Sequence, residues 1–160
     1  VYRIDVADGE DGVEACLAVA HGVDEGFNEQ GLATMADDLP GQRTLLALDD
    51  DEVVGFASVA ATGERVRELA WLAVTQSRQR AGIGRRLVEA LVEDCRESGV
   101  ELLSVKTLAG TVESAHYDGV RQFYRDLGFR HVETIDPYPP WGEGNPCAIY
   151  VRPLGRAVDD

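Results

Sequence analysis

Lysine is almost missing from this chain: Lys106 is the single one, and every other residue among the 15 counted as lysine or arginine is an arginine. Set against 29 aspartates and glutamates, they leave a formal charge of −14 at pH 7. That balance excludes free nucleic acid as a partner, because a polyanion would meet a repulsive field. A lysine-poor acidic surface suits a high-salt cytoplasm, where ions screen self-repulsion, and it suits equally an acidic protein from a GC-rich mesophile. Long apolar runs are missing too. The longest, such as residues 69–74, fall far short of the roughly 20 residues a membrane-spanning helix needs, so no membrane partner is expected. Residues 1–7 alternate apolar and polar and carry Arg3 and Asp5, unlike the charged start and apolar centre of a signal peptide. The expected setting is the cytoplasm. Only three cysteines occur, Cys16, Cys95 and Cys147, far apart and never in the close pairs of zinc or redox motifs. They read as buried free thiols. His21, His116 and His131 have no metal-ligand spacing, so no metal is expected.

What is present is enough for one domain. The 160 residues include 44% hydrophobic ones, sufficient for a core without disulfides, and no repeat or linker-like stretch divides them. A single domain over residues 1–160 is expected, with an acidic tail from Pro153 onward. Residues 2–7 alternate as a strand, and residues 12–20 place Val13, Cys16, Leu17 and Ala20 at helical spacing. Residues 27–39 are weakly helical and stop at Pro40-Gly41. Residues 43–48 and 52–61 form a hairpin across Asp49-Asp50-Asp51. Residues 65–74 make a third antiparallel strand, whose apolar end from Leu69 predicts burial on both faces. Residues 82–98 carry Ile83, Leu87, Ala90, Leu91 and Cys95 on one stripe, with Gly99 as the stop. Residues 100–107 then form a strand parallel to the one before the helix. A polar loop, a short helix over 118–127, a strand over 129–135, a loop over 136–146 and a last strand over 147–151 complete the order β-α-α-β-β-β-α-β-α-β-β.

The chemistry concentrates at Gln79-Arg80-Ala81-Gly82-Ile83-Gly84, between the buried strand and the start of the strongest helix. Glycines there let a backbone approach a ligand closely, and the free N–H groups of a helix start are donors to an anion. Arg80, Arg85 and Arg86 add positive charge at that spot of an otherwise acidic molecule, which favours a diphosphate. A Walker loop needs Gly-Lys-Ser/Thr and finds no lysine here. A dinucleotide fingerprint needs a third glycine where Leu87 stands, and antiparallel hairpins precede this strand.

Gln-x-x-Gly-x-Gly after an apolar strand resembles the pyrophosphate-binding motif of the GNAT acetyltransferase superfamily. Tyr124, in Phe123-Tyr124-Arg125-Asp126-Leu127-Gly128-Phe129, matches a second signature of that family. The separation of the two motifs and the order of elements also match, so the resemblance spans nearly the whole chain. Lys106-Thr107-Leu108 and Trp141-Gly142-Glu143-Gly144-Asn145-Pro146-Cys147 are similar to a GNAT subgroup, while Tyr117 stands where many members carry asparagine. The resemblance implies an α/β three-layer fold: a mixed, mostly antiparallel sheet with one parallel βαβ step and helices on both faces. It implies an N-acetyltransferase that uses acetyl-CoA as co-substrate, with cofactor contacts from Leu72, Ala73, Val74, Gln79, Arg80, Ala81, Gly82, Ile83, Gly84, Arg85 and Tyr124. The acetyl group would pass to a primary amine, on a small molecule or a peptide, by direct attack in a ternary complex; the alternative is a non-catalytic acyl-CoA-binding regulatory module. A homodimer stays open.

The same resemblance implies roles. Tyr124 would be the general acid for the departing thiolate. The backbone N–H near Leu72 would stabilise the thioester oxygen. Glu68, eleven residues before Gln79, matches a family position for the base that takes the amine's proton, with His116 as another candidate. Along a straight strand, four residues separate Glu68 from Leu72 by about 13 Å, so a bulge or a bridging water is needed. Acceptor contacts are expected from residues 27–39 and 136–146, where Glu29, Asp37, Asp38, Asp136 and Glu143 would suit a cationic amine.

Overall fold

The structure, a computed structural model, describes residues 2–23 and 26–155. Its strands are β1 (Tyr2–Val6), β2 (Arg43–Asp49), β3 (Glu52–Ala61), β4 (Val66–Val74), β5 (Leu102–Leu108), β6 (Arg130–Ile135) and β7 (Cys147–Pro153). The helices are α1 (Gly9–His21), α2 (Glu29–Asp38), α3 (Ile83–Glu97) and α4 (Ala115–Asp126). The element order is the one the periodicity predicts, with three short 3-10 turns added. One sheet of seven strands runs β1-β2-β3-β4-β5-β7-β6, and only the β4–β5 pair is parallel.

Alternation along the strands sends successive side chains into two separate cores. Ala57 and Val59 of β3 and Leu69 of β4 pack under α3 with Leu87, Val88 and Leu91, and with Tyr124 of α4. Phe56 and Ala73 point the other way, against Cys16, Val19 and Ala20 of α1 and Met35 of α2. Three layers result, as the expected fold class requires. The stripe on α3 has the 3.6-residue period of a helix with one buried face, and Gly99 at φ 80° supplies the left-handed residue that ends it. Asp50, at φ 53° in the β2–β3 turn, is a residue type that tolerates this conformation.

Four details differ from the sequence reading. First, α1 begins at Gly9, ahead of residue 12. Second, α4 begins at Ala115, ahead of residue 118, because the Ser114 hydroxyl accepts the Tyr117 N–H at 3.2 Å and caps the extra turn. Third, the chain stays in the fold past Pro153: this residue pairs with Leu102, and Leu154 is buried with its N–H donating to the Glu101 carbonyl at 2.8 Å. Residues 156–160 of the expected tail lie outside the described residues. Fourth, β4 is not buried on both faces along its apolar end. Ala70, Trp71, Leu72 and Val74 are only half-buried. The cause is that β5 pairs with β4 only from Val66 to Leu69, so the two parallel strands part after that point.

Among the described residues no helix is long and apolar enough to cross a membrane.

Candidate active site

The parting of β4 from β5 makes a gap in the middle of the sheet. From residue 70 to residue 74, β4 is bonded to β3 on one side only, and the backbone groups facing β5 lie outside any ladder. Such groups need partners, and a ligand laid along the edge would supply them. Leu72, Ala73 and Val74 all belong to this open edge.

The chain then turns at 79–82 into α3. The Gln79 amide nitrogen donates to the Val74 carbonyl at 3.1 Å and ties the turn to the end of β4. Arg80 has φ 67° and Gly82 φ 81°, both left-handed. For Arg80 that conformation costs about 1–2 kcal/mol, a strain of the kind that collects at functional sites. Gly82 precedes the first residue of α3 and offers no side chain to cap it. The Arg86 N–H reaches the Gly82 carbonyl at 3.1 Å, while the N–H groups of Ile83, Gly84 and Arg85 come before that bond in the first turn. These amides, with the positive end of the helix dipole, face an exposed surface at Arg80, Ala81 and Gly82. Arg85 is paired with Glu89 at 3.2 Å, but Arg80 and Arg86 have no acidic partner among the described residues. Gly84 marks where three elements meet: a Cβ there would lie 3.5 Å from Phe123 of α4 and 3.8 Å from Val74 of β4.

Tyr124 follows Phe123 on α4 and is 6% exposed, with its ring edge-on to Phe123 and Phe129 at centroid distances of 5.2 and 5.5 Å. Burial raises its hydroxyl well above the ordinary value near 10, so at neutral pH it holds its proton and is a donor. The structure therefore brings the open β4 edge, the turn and start of α3, and α4 together on one side of the molecule.

Glu68 is elsewhere. The register of β3 and β4 slips between Ser58, opposite Trp71, and Val59, opposite Leu69, which leaves Ala70 as an extra residue on β4. This bulge breaks the alternation, so Glu68 shares a face with Trp71 and Ala73, the face that carries α1 and α2. Leu72 points to the opposite face, against the α3 core. The bulge also shortens the path: Ala60 and Ala57, the partners of Glu68 and Leu72, are three residues apart, or about 10 Å. The straight-strand separation of about 13 Å is corrected accordingly.

On that face Glu68 is not alone. Its carboxylate lies 2.8 Å from the Lys106 ammonium, with side-chain exposures of 18% and 36%. Burial works to lower the Lys106 pKa, but the hydrogen bond and charge of Glu68, joined by Tyr138, raise it above its ordinary value. The ammonium sits 5.9 Å from the centre of the Tyr138 ring, and Trp141 packs edge-on to Tyr138 at 5.0 Å. Trp71 packs edge-on against Phe27, at 5.9 Å, and its indole N–H donates to the Asp38 carboxylate at 3.3 Å. Asp38 thus meets an indole, while Asp136 and Glu143 are exposed. Sequence reasoning missed Lys106, Trp71 and Tyr138 as site residues; its signals were that Lys106 is the sole lysine and that it opens the Lys106-Thr107-Leu108 stretch.

His116 is exposed on the first turn of α4, beside Tyr117. The three cysteines are buried, and burial pushes Cys16 up to about 12 and Cys95 up to about 11, so neither is a ready nucleophile. Cys147 is raised by burial too, against an opposing pull from Lys106. No cluster of ligand side chains fit for a metal occurs among the described residues.

The fold is thus a mixed sheet split beyond residue 69 beside a helix entered through glycine and without a side-chain cap. The chain belongs to the acetyltransferase (GNAT) family, whose model matches residues 13–129. It is 25% identical over 105 residues to the uncharacterized N-acetyltransferase YsnE of Bacillus subtilis, covering 66% of this chain and 64%, under two thirds, of that protein. A GNAT-family protein from Desulfovibrio desulfuricans superposes with a TM-score of 0.86 over 97% of this chain and all of that one, at 21% identity. An aminoglycoside 6′-N-acetyltransferase solved with coenzyme A superposes with a TM-score of 0.75 over 98% of this chain and 99% of that one, at 20% identity. At these identities the superpositions show a shared fold.

Proposed function

We propose that this chain transfers an acetyl group from acetyl-CoA to a primary amine by direct attack in a ternary complex. The observation that carries the reading is the opening of β4 from β5 at residue 70 beside the uncapped start of α3. The pyrophosphate would accept hydrogen bonds from backbone N–H groups between Arg80 and Arg85, with Gln79 holding the turn, and Arg80 and Arg86 supplying charge. The pantetheine arm would lie along Leu72, Ala73 and Val74 as a missing strand partner. That places the thioester near Leu72 and its sulfur toward α4. That a structural neighbour was solved with coenzyme A bound supports coenzyme A as the ligand.

The chemistry follows from charge. A primary ammonium, with a pKa near 8 to 10.4, must first lose a proton, which Glu68 takes through a bridging water because about 10 Å separates it from Leu72. The neutral nitrogen then attacks the thioester carbon. As the N–C bond forms, negative charge gathers on the carbonyl oxygen, where the Leu72 N–H donates to it. The C–S bond breaks, the nitrogen sheds its second proton to solvent, and the thiolate leaves with a proton from Tyr124, which solvent restores. Tyr124 is protonated at neutral pH and so has a proton to donate, while its burial, by raising the pKa, works against full transfer until the cofactor's sulfur is alongside it.

Calorimetry with acetyl-CoA tests the reading. The wild-type chain should bind it, and Gly82→Asp, which puts a carboxylate against the expected pyrophosphate, should lose detectable binding while keeping its thermal unfolding temperature within a few degrees. Equal affinity in the folded variant would remove the assignment. Binding without coenzyme A release over a broad amine panel would mark a non-catalytic acyl-CoA-binding module instead.

A further inference from the structure

The acceptor side of the gap holds an arrangement that chemistry alone does not demand. Lys106 lies on β5 immediately after Val105, the last β5 residue paired with β4, and Glu68 lies on β4 immediately before Leu69, the last β4 residue so paired. Their ion pair therefore closes the apex of the split, on the face opposite the α3 core, the face from which the acceptor would come to Glu68 on the reading above. It is the sole lysine of a chain with a charge of −14, spent next to the candidate base. If the acceptor were a simple cation, that ammonium would repel it at the point of reaction.

Resting on the acetyltransferase reading above, we propose that the acceptor is an amine bearing its own carboxylate, an α-amino acid, held with its ammonium toward Glu68 and its carboxylate toward Lys106. A half-buried pair of opposite charges is neutral overall, and a zwitterion laid against it keeps it neutral, with each charge compensated. A monocationic or polycationic amine would compensate Glu68 but leave Lys106 facing an excess positive charge. Lys106 is suited to the task because its neighbours keep it an ammonium throughout the physiological range. The acceptor's side chain would meet rings: Trp71 shares the face of Glu68 at the spacing of two β3 residues, about 7 Å, and Tyr138 stands over Lys106 from the β6–β7 loop. An apolar or aromatic amino acid is the form these walls fit best. The acidic surface far from the apex plays no part in this choice.

The test measures coenzyme A release from acetyl-CoA with each common L-amino acid, then compares the best one with its carboxamide and its decarboxylated amine. The wild-type chain should prefer the free acid by about 10- to 100-fold in kcat/KM, the effect of one charge-assisted hydrogen bond. Lys106→Met should raise KM for the acid by a similar factor, change kcat less, leave KM for acetyl-CoA unaltered and abolish the preference over the amide; Lys106→Arg should restore part of it. Because the wild-type comparison needs no variant, a Lys106→Met protein that fails to fold does not spoil the test. Equal use of acid, amide and decarboxylated amine, or release with amines such as aminoglycosides but with no amino acid, overturns the proposal and leaves the acetyltransferase reading standing. Failure of the wild-type chain to bind acetyl-CoA in calorimetry overturns that reading first, and this one with it.

Discussion

The two sides of the split sheet are built from different materials. The α3 side is made of backbone: a left-handed turn at Arg80 and Gly82, three amides ahead of the first bond of α3, and an open strand edge. The α1–α2 side is made of side chains drawn from β4, β5 and the β6–β7 loop: Glu68, Trp71, Lys106 and Tyr138. A backbone site serves a group common to a whole family, because any sequence that can make the turn presents the same donors. A side-chain site is specific to one chain, because changing one residue changes the charge or shape offered to the ligand. On this comparison the proposed cofactor contacts belong to the first side and the proposed acceptor contacts to the second.

The largest effect that would break the comparison is on the α3 side. Tyr124→Phe removes one hydroxyl and leaves the packing with Phe123 and Phe129 in place. Turnover should fall by about ten- to ten-thousand-fold while acetyl-CoA affinity holds, read by steady-state rates and calorimetry. Unchanged turnover would return Tyr124 to the core.

A smaller effect is expected at Glu68. Glu68→Gln should lower the rate most at low pH, where little amine is spontaneously neutral, and raising the pH should recover part of it. A profile equal to the wild type in shape and height would make Glu68 a structural partner of Lys106 only.

The smallest effect is on stability. The Lys106 pKa is raised in the folded chain, so folding favours its protonated form: the contribution is full below the unfolded value near 10.4 and is lost as pH climbs through the higher folded value. The difference in unfolding temperature between the wild-type chain and Lys106→Met should therefore be steady from pH 7 to about 10 and shrink above that. A constant difference up to pH 11.5 would show that the ammonium carries none of it.

The same division explains what the sequence disclosed. The turn and the start of α3 are contiguous, from Gln79 to Arg85, and glycine requirements there are local rules, so the spacing alone was informative. The order of elements was legible for a similar reason, since the stripe of α3 and the alternation of β2 and β3 are short-range patterns. A bulge between Glu68 and Leu72 was one of two ways the sequence left to close their distance, but its place at Ala70 was hidden, because residues 69–74 are apolar whichever way they point, and only the register against β3 reveals the slip. The partial exposure of that stretch was hidden with it, since it depends on where β5 leaves β4. Lys106 and Glu68 are thirty-eight residues apart and meet only through the parallel pairing, so no local pattern joins them. Likewise Ser114, an ordinary polar loop residue by composition, moved the start of α4 by capping it.

Hydrogen exchange with and without acetyl-CoA tests the division of the two sides most directly, since it needs no acceptor. The account predicts that acetyl-CoA slows exchange at the amides of Leu72 and Val74 on β4 and of residues 81–85 at the start of α3, while those of residues 104–106 and of Tyr138 change little. Slowing confined to the Glu68 and Lys106 face, or spread evenly with none at residues 81–85, would contradict it.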